Sequence, residues 1–537
     1  MNIRQVAVGN LSELHNGDMK QVSVEGAEIL LARVNDRCFA VGAHCPHYGA
    51  PLVEGTLSGD RLVCPWHHAC FNVENGDCEE PPAFDALPSF PVSINNGEIV
   101  LHLPAEVPDR RVPEMTKRNS QDKRVFVVLG AGAAGFAAAQ TLREDGFGGR
   151  LVMITGEDRL PYDRPNLSKD YLQGHAEPAW MPLRSKEFFK DHDITTMLGR
   201  TVSALSVPDK VISFVDGETF NYDSIVIATG CAPRRLPSLT TKEPQSDVFV
   251  LRSFSDSDAI AAAAADGKKV VLIGASFIGM EAACSLKIRG CDVTVVAPDA
   301  VPFEKTLGPE IGRLFQRIHE RNGVRFQLGK QVSTLDGDES VKAVVLDTGE
   351  RLEADLVVVG IGVSPATGFI EGIQLHDDGG VITDRNLMIA KDTYAAGDIV
   401  HFPAGDTGEL IRIEHWRIAM QQGRTAAHNM AGKPSPFEGV PFFWTTQFGS
   451  TLNYVGHTKS WDQLIIDGDI GSEDFLAFYV KNARVRAVAG MNRDRDIAVW
   501  EELIRLDKVP PLDRVVDSAT QVLPAGSRPT VSAGVVP

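Results

Sequence analysis

The chain has 537 residues, 43% of them apolar, and a formal net charge of −18. The acidic balance argues against a nucleic-acid partner, whose phosphates it would repel, and eight cysteines are too few for a disulfide scaffold at this length. No apolar run reaches the roughly 18–20 residues of a membrane span and MNIRQVAVGNLSEL lacks an apolar signal core, so a reducing, cytoplasmic compartment is the default expectation. Length alone suggests three to five domains. Residues 1–104 read as short β-segments such as QVSVEG, EILLARV and RCFAVG, punctuated by Asn-Gly and Ser-Gly-Asp turns. They predict a small all-β module. Its 13 Asp or Glu against 5 Lys or Arg leave a difference of −8, which serves solubility or steers the module toward a basic partner.

Two loops of this module carry its chemistry. CPHYGAPL holds Cys45 and His47; CPWHHACF holds Cys64 and His67. Each offers one thiolate and one imidazole. That donor set suits a [2Fe–2S] centre with two Cys on one iron and two His on the other. Zinc accepts the same donors, but zinc fingers pair Cys with Cys and His with His. The sixteen residues between His47 and Cys64, with the flanking Pro, Gly and Trp, resemble a Rieske iron–sulfur domain. High-potential members of that family carry an extra Cys in each loop. Ala50 and Trp66 stand there, so the resemblance points to the lower-potential, ferredoxin-like branch. His44 and His68 read as loop residues beside the ligands, and Cys70 and Cys78 as buried or surface thiols, with a local bridge between them left open.

Residues 105–122 are Pro-rich and charged and read as a linker. From Lys123 onward, strands alternate with helices. KRVFVVLG is a buried-type strand running into a helix through Gly130-Ala-Gly132-Ala-Ala-Gly135. Gly130 permits the tight turn, Gly132 close approach of a pyrophosphate, and Gly135 close helix packing. The helix N-terminus then faces the phosphates. Glu157 follows 22 residues beyond Gly135, placed to bind ribose hydroxyls. The plan repeats 144 residues later at Gly274-Ala-Ser276-Phe-Ile-Gly279, with Ser276 in the middle position. Two dinucleotide domains are expected.

From 123 to about 510 the chain resembles two-dinucleotide flavoprotein reductases, near the oxygenase-coupled ferredoxin reductases and apoptosis-inducing factor. The matching segments are RLPYDRPNLSK, SIVIATG, TYAAGDI, IEHWRIAMQQG and PFFWTT. The resemblance implies FAD, with Arg164, Lys169, Thr229, Gly230, Gly397 and Asp398 as contacts and Trp416 and Trp444 as neighbours of the ring. Glu281 in FIGME is implied to lie near the nicotinamide and pair with Lys169, the two being candidates for catalytic roles. The second strand ends at Ala297, where an NAD site usually places Glu; Asp299 is the substitute, and NADH is favoured over NADPH. Disulfide reductases of similar plan need paired cysteines after the first glycine loop, and no Cys lies between 79 and 230.

With the first module added, nearly the whole chain resembles apoptosis-inducing factor-like proteins that carry a Rieske domain ahead of the reductase. The expected fold is multidomain: an all-β Rieske domain (1–104), the linker (105–122), and two α/β Rossmann-like domains. These are a discontinuous FAD domain (123–245 and 366–436) and an NAD(P)H domain (246–365). An α+β reductase domain (437–510) and a poorly ordered tail (511–537) complete the chain. The implied activity is electron transfer from NAD(P)H through FAD to the fused cluster and on to an acceptor protein such as an oxygenase. The alternative is a redox-sensing protein with slow NADH oxidation, and a homodimer is left open.

Overall fold

The computed structural model describes residues 3–236, 247–405, 408–517 and 521–524. The N-terminal domain is all β. A three-stranded sheet (Ile3–Asn10, Glu98–Pro104, Val92–Asn95) packs beside a four-stranded one built on Met19–Val24, Ala27–Val34 and Arg37–Gly42. A second four-stranded sheet, Thr56–Ser58 through Cys78–Glu80, carries the second Cys-His loop between its strands Arg61–Val63 and Cys70–Asn72. The strands are short because Gly and Asn turns interrupt them every few residues.

The first α/β domain is doubly wound. Four parallel strands lie in the order Ile194–Met197, Arg150–Ile154, Val125–Leu129, Ser224–Ile227, and Thr393–Ala395 joins them parallel at the far side. Val125–Leu129 is an unbroken apolar run because both faces of a parallel sheet are covered. The pairing of Thr393–Ala395 with Ser224–Ile227 brings a late segment of the chain into the first sheet. The boundary expected at 245–246 lies outside the described residues. Helices Ala133–Glu144 and Trp416–Met430 pack so closely that a Cβ at Gly423 would lie 2.1 Å from the Ala134 carbonyl oxygen.

The second α/β domain has five parallel strands: Val248–Val250, Leu356–Val359, Lys269–Ile273, Asp292–Ala297 and Arg325–Leu328. The C-terminal domain is a six-stranded antiparallel sheet with helix Asp494–Arg505 against it. Its sixth strand corrects the sequence reading. Residues 511–537 are read from the sequence as a poorly ordered tail, but Leu512–Asp517 is helical and Gln521–Pro524 pairs antiparallel with Gln463–Asp469; residues 518–520 and 525–537 lie outside the described residues. Leu512 and Val515 pack into the core of this domain, and the strand covers an otherwise open sheet edge. Short apolar pieces between polar residues hid both elements. Residues 105–122 have no regular helix or strand, yet they are strapped down. Arg111 exchanges two backbone hydrogen bonds with Ala86, and the Thr116 and Asn119 N–H groups donate to the Arg143 and Gly148 carbonyls.

Candidate functional site

The two Cys-His loops have matching backbones. Cys45 N–H donates to Ala50 O and Cys64 N–H to Ala69 O, both at 2.9 Å. Both sulfurs are buried, at 2% and 1% exposure, and share a hydrogen bond. Burial opposes the Cys64 thiolate, but that bond and the N–H groups of Trp66 and His67 lower its pKa; the same shared bond, with burial, raises Cys45. The imidazoles of His47 and His67 lie together, ring centroids 4.9 Å apart. Burial brings His47 down to about 3. Burial, then His47, His68 and Lys169, hold His67 well below the ordinary range. Both rings are neutral and able to ligate.

These donors sort two by two. Among the described residues, no three of the four donor atoms lie within 4.8 Å of one another. A single tetrahedral zinc would draw all four into one sphere. Cysteines at one end and histidines at the other fit two irons. Nδ1 of His47 is buried without a partner, as a ligand atom would be. The site therefore fits the [2Fe–2S] group. Ala50 is buried and Trp66 partly exposed in the two places where a second pair of cysteines would stand. All eight cysteines are free, so Cys70 and Cys78 form no bridge. His44 is exposed and bonded to Glu28 at 2.5 Å. His68 is no bystander: it is fully buried, and its Nδ1 bonds to Glu501.

The first glycine loop has the steric signature of a phosphate cradle. Gly130 has φ +115°, and a Cβ there would meet Ala228 O at 2.1 Å; one at Gly135 would meet Gly130 O at 1.9 Å. Nothing lies within 4 Å of a Cβ at Gly132, which leaves space before the helix N-terminus. Glu157 accepts from Arg164 at 2.7 Å and from Tyr162 at 2.6 Å. Burial raises its pKa, but Arg164 and Tyr162 outweigh that and lower it. Arg164 also donates to Arg252 O at 2.6 Å, and Arg252 pairs with Asp398 at 2.8 Å. Arg252 thus ties the Asp398 motif to Glu157, a link no sequence motif announced. Thr229 bonds to Ala366 O at 2.8 Å, beside Gly230 at φ +65°. Gly397 N–H donates to Gln422 at 2.8 Å. Trp416 is half-buried against the core of this domain.

The second loop repeats the backbone. Gly274 has φ +111° with its Cβ position 2.2 Å from Gly360 O, and that of Gly279 is 2.4 Å from Gly274 O. Ser276 donates to Gly360 O at 3.2 Å. Ala297 is buried, and Asp299 is paired with the exposed Lys305 at 2.9 Å.

Three domains meet on Glu281, which is 3% exposed. Its Oε2 accepts from Lys169 Nζ at 2.7 Å and Ser168 Oγ at 2.6 Å; its Oε1 accepts from Thr445 Oγ1 at 2.7 Å. Gln447 Nε2 donates to Thr445 Oγ1 at 2.9 Å, and His319 Nε2 donates to Gln447 Oε1 at 2.7 Å. Thr445, Gln447 and His319 are fully buried. Every donor in this chain points toward the carboxylate, so its charge is held in place. The Lys169–Glu281 pairing was legible; Thr445, Gln447 and His319 were not.

The cluster loops reach this site. The His67 ring lies 4.4 Å from that of Trp444, the residue before Thr445. Tyr48, next to His47, donates to Asp163 in the loop that carries Arg164 and Lys169.

Residues 124–423 match the pyridine nucleotide-disulphide oxidoreductase family, residues 4–91 the Rieske [2Fe-2S] domain and residues 442–524 the reductase C-terminal domain. The chain is 38% identical over 512 residues to apoptosis-inducing factor 3 of Homo sapiens, covering 93% of this chain and 84% of that one. It is 32% identical over 373 residues to rhodocoxin reductase of Rhodococcus erythropolis, covering 69% and 87%. The crystal structure of the covalent putidaredoxin reductase–putidaredoxin complex matches with a TM-score of 0.70 at 28% identity, over 74% of this chain and 96% of that one. Among the described residues no helix is long and apolar enough to cross a membrane. The chain belongs to the pyridine nucleotide-disulphide oxidoreductase family, as a Rieske-bearing, FAD-dependent oxidoreductase of the ferredoxin reductase type.

Proposed function

We propose that this protein carries electrons from NAD(P)H through FAD to its own Rieske cluster and on to an external acceptor protein, an oxygenase for example. The carrying observation is the 4.4 Å contact of His67 with Trp444, whose strand neighbour Thr445 holds Glu281. Bound FAD supplies the hydride acceptor, and the bound cluster a one-electron store. NAD(P)H gives two electrons as one hydride, so it cannot serve a one-electron centre directly. The residues provide placement. The glycine loops turn two helix N-termini toward phosphates. Glu281 fixes the Lys169 ammonium, and Trp444 presents its ring to His67. NADH is the favoured donor, on the carboxylate of Asp299 near the end of the second strand.

The test assays holoprotein with NADH and cytochrome c beside Cys64→Ser. Wild type should turn over steadily, and the variant should lose most of that turnover while NADH still bleaches its flavin. Equal turnover would mean that electrons leave without the cluster. A long-lived reduced wild-type protein without turnover would favour the redox-sensing alternative.

A further inference from the structure

A largely buried chain of hydrogen-bonded charged and polar groups crosses the joint between the Rieske domain and the reductase. His68 Nδ1 bonds to Glu501 Oε2. Glu501 Oε1 accepts from Arg417 Nη1 at 2.6 Å, and Arg417 Nη2 donates to Glu80 Oε2 at 2.8 Å. Arg61 donates to Glu80 at 2.6 Å and to Glu502 at 3.4 Å. His68, Arg61 and Glu80 belong to the Rieske domain, Arg417 to the FAD domain, Glu501 and Glu502 to the C-terminal domain. His68, Arg417 and Glu501 are 0%, 1% and 3% exposed.

The chain acts on the cluster loop through one backbone step. His67 and His68 are consecutive, yet both rings face the same strand of the reductase. The His67 ring lies against Trp444 and the His68 ring is stacked on Phe442 at 3.9 Å. Phe442 and Trp444 are two residues apart and share one face of their strand. Two successive side chains reach one face because His68 is left-handed, at φ +57°. Holding His68 therefore fixes where His67 sits.

Other contacts agree. Asp85 pairs with Arg184 through two bonds of 2.5 and 3.0 Å, and the ring of Phe84 lies 4.6 Å from that of Phe136. Domains joined by a linker move relative to one another by default unless their interface is large and hydrophobic; here Phe84 on Phe136, His68 on Phe442 and the buried cluster of Val63, Cys70 and Ala498 add apolar packing to the ionic chain. A buried ionic chain is specific: each partner left alone is an uncompensated charge in a dry place. Arg417 is suited to it, since its planar fork serves Glu501, Glu80 and the Pro81 carbonyl at once.

We propose that the Rieske domain is bolted to the reductase and does not shuttle. Glu501 and Arg417 are positioning residues that hold His68, and so His67, on Trp444. The proposal rests on the electron route above and adds that the cluster stays docked while it fills and empties.

Hydrogen exchange of the full-length holoprotein tests the bolt without turnover. Segments 63–70 and 495–502 should exchange as slowly as the strands of the domain cores, and trypsin should spare Lys117 and Arg118 in the linker. Exchange at loop-like rates in wild type would overturn the proposal, whatever any variant does. Glu501→Gln and Glu501→Leu should speed exchange in both segments. Rapid-freeze EPR after anaerobic mixing with NADH should show cluster reduction slowed about tenfold or more, with flavin bleaching unchanged. Wild-type exchange and cluster reduction in a folded Glu501→Leu protein would also overturn it. A wild-type cluster that NADH never reduces would instead strike at the electron route, and the exchange data would still decide whether the domain is fixed.

Discussion

The two glycine loops have one backbone and two surroundings. Gly130 and Gly274 share a φ near +110°, and a Cβ at either would strike a carbonyl oxygen at 2.1 or 2.2 Å. Beyond the turn they part. The first loop keeps Gly132, and Glu157 is fastened by Arg164 and Tyr162 and linked through Arg252 to Asp398. The second places Ser276 in the middle and ends its strand at Ala297, whose carbonyl accepts from the Lys330 N–H, while the Asp299 carboxylate pairs with the exposed Lys305. A carboxylate held on several sides suits a ligand that stays; one paired with a single exposed lysine suits a ligand that exchanges. On the proposed function, the same turn serves a resident cofactor and a passing co-substrate.

The largest effects should come from the turns themselves. Gly135→Ala puts a Cβ 1.9 Å from a backbone oxygen, which should lower stability by about 3 kcal/mol or more and yield protein without flavin. Gly279→Ala, at 2.4 Å, should keep the flavin and lose its reduction by NADH. Visible spectra with and without NADH separate the two, and loss of flavin from both would end the distinction.

Next comes the shared carboxylate. Glu281→Gln should slow hydride transfer by about ten- to a hundredfold, read by stopped-flow bleaching. An unchanged rate and an unchanged flavin potential would remove Glu281 from the mechanism. Thr445→Val strands one donor of the buried Gln447 and should cost about 1–3 kcal/mol by thermal unfolding, with flavin content kept.

Acid should weaken the second α/β domain. Burial lowers His319 from the ordinary 6.5 to about 4. The unfolded chain therefore takes up its proton before the folded one does. The contribution is intact above pH 6.5 and is lost as pH falls toward 4, by about 3 kcal/mol in all. His319→Gln should flatten that slope in denaturant titrations across the window. A slope identical to wild type would assign the acid sensitivity elsewhere. The smallest effect belongs to the nucleotide rim: Lys305→Glu should shift preference toward NADH by about tenfold, near 1.4 kcal/mol. Equal KM ratios for NADH and NADPH in both proteins would place selectivity away from Asp299.

What was legible follows from range. The Cys-His loops and both glycine loops stand in short motifs whose chemistry fixes their spacing; the Lys169–Glu281 pair is reached only through the resemblance. Arg252, Thr445, Gln447 and Glu501 meet their partners across domain boundaries, and one sequence carries no local sign of such meetings. His68 misled for a related reason: beside a ligand it reads as a spare histidine, and only the left-handed turn shows that it faces the reductase. The last strand was missed because Gln521–Pro524 is short and gains its order from the edge it covers.

Anaerobic titration of the holoprotein with NADH, followed by visible absorbance and low-temperature EPR, tests the electron route most directly. Bleaching of the flavin together with the rhombic signal of a reduced Rieske cluster is the expected result. A flavin that bleaches fully while the cluster stays oxidised, yet yields to dithionite, would contradict it.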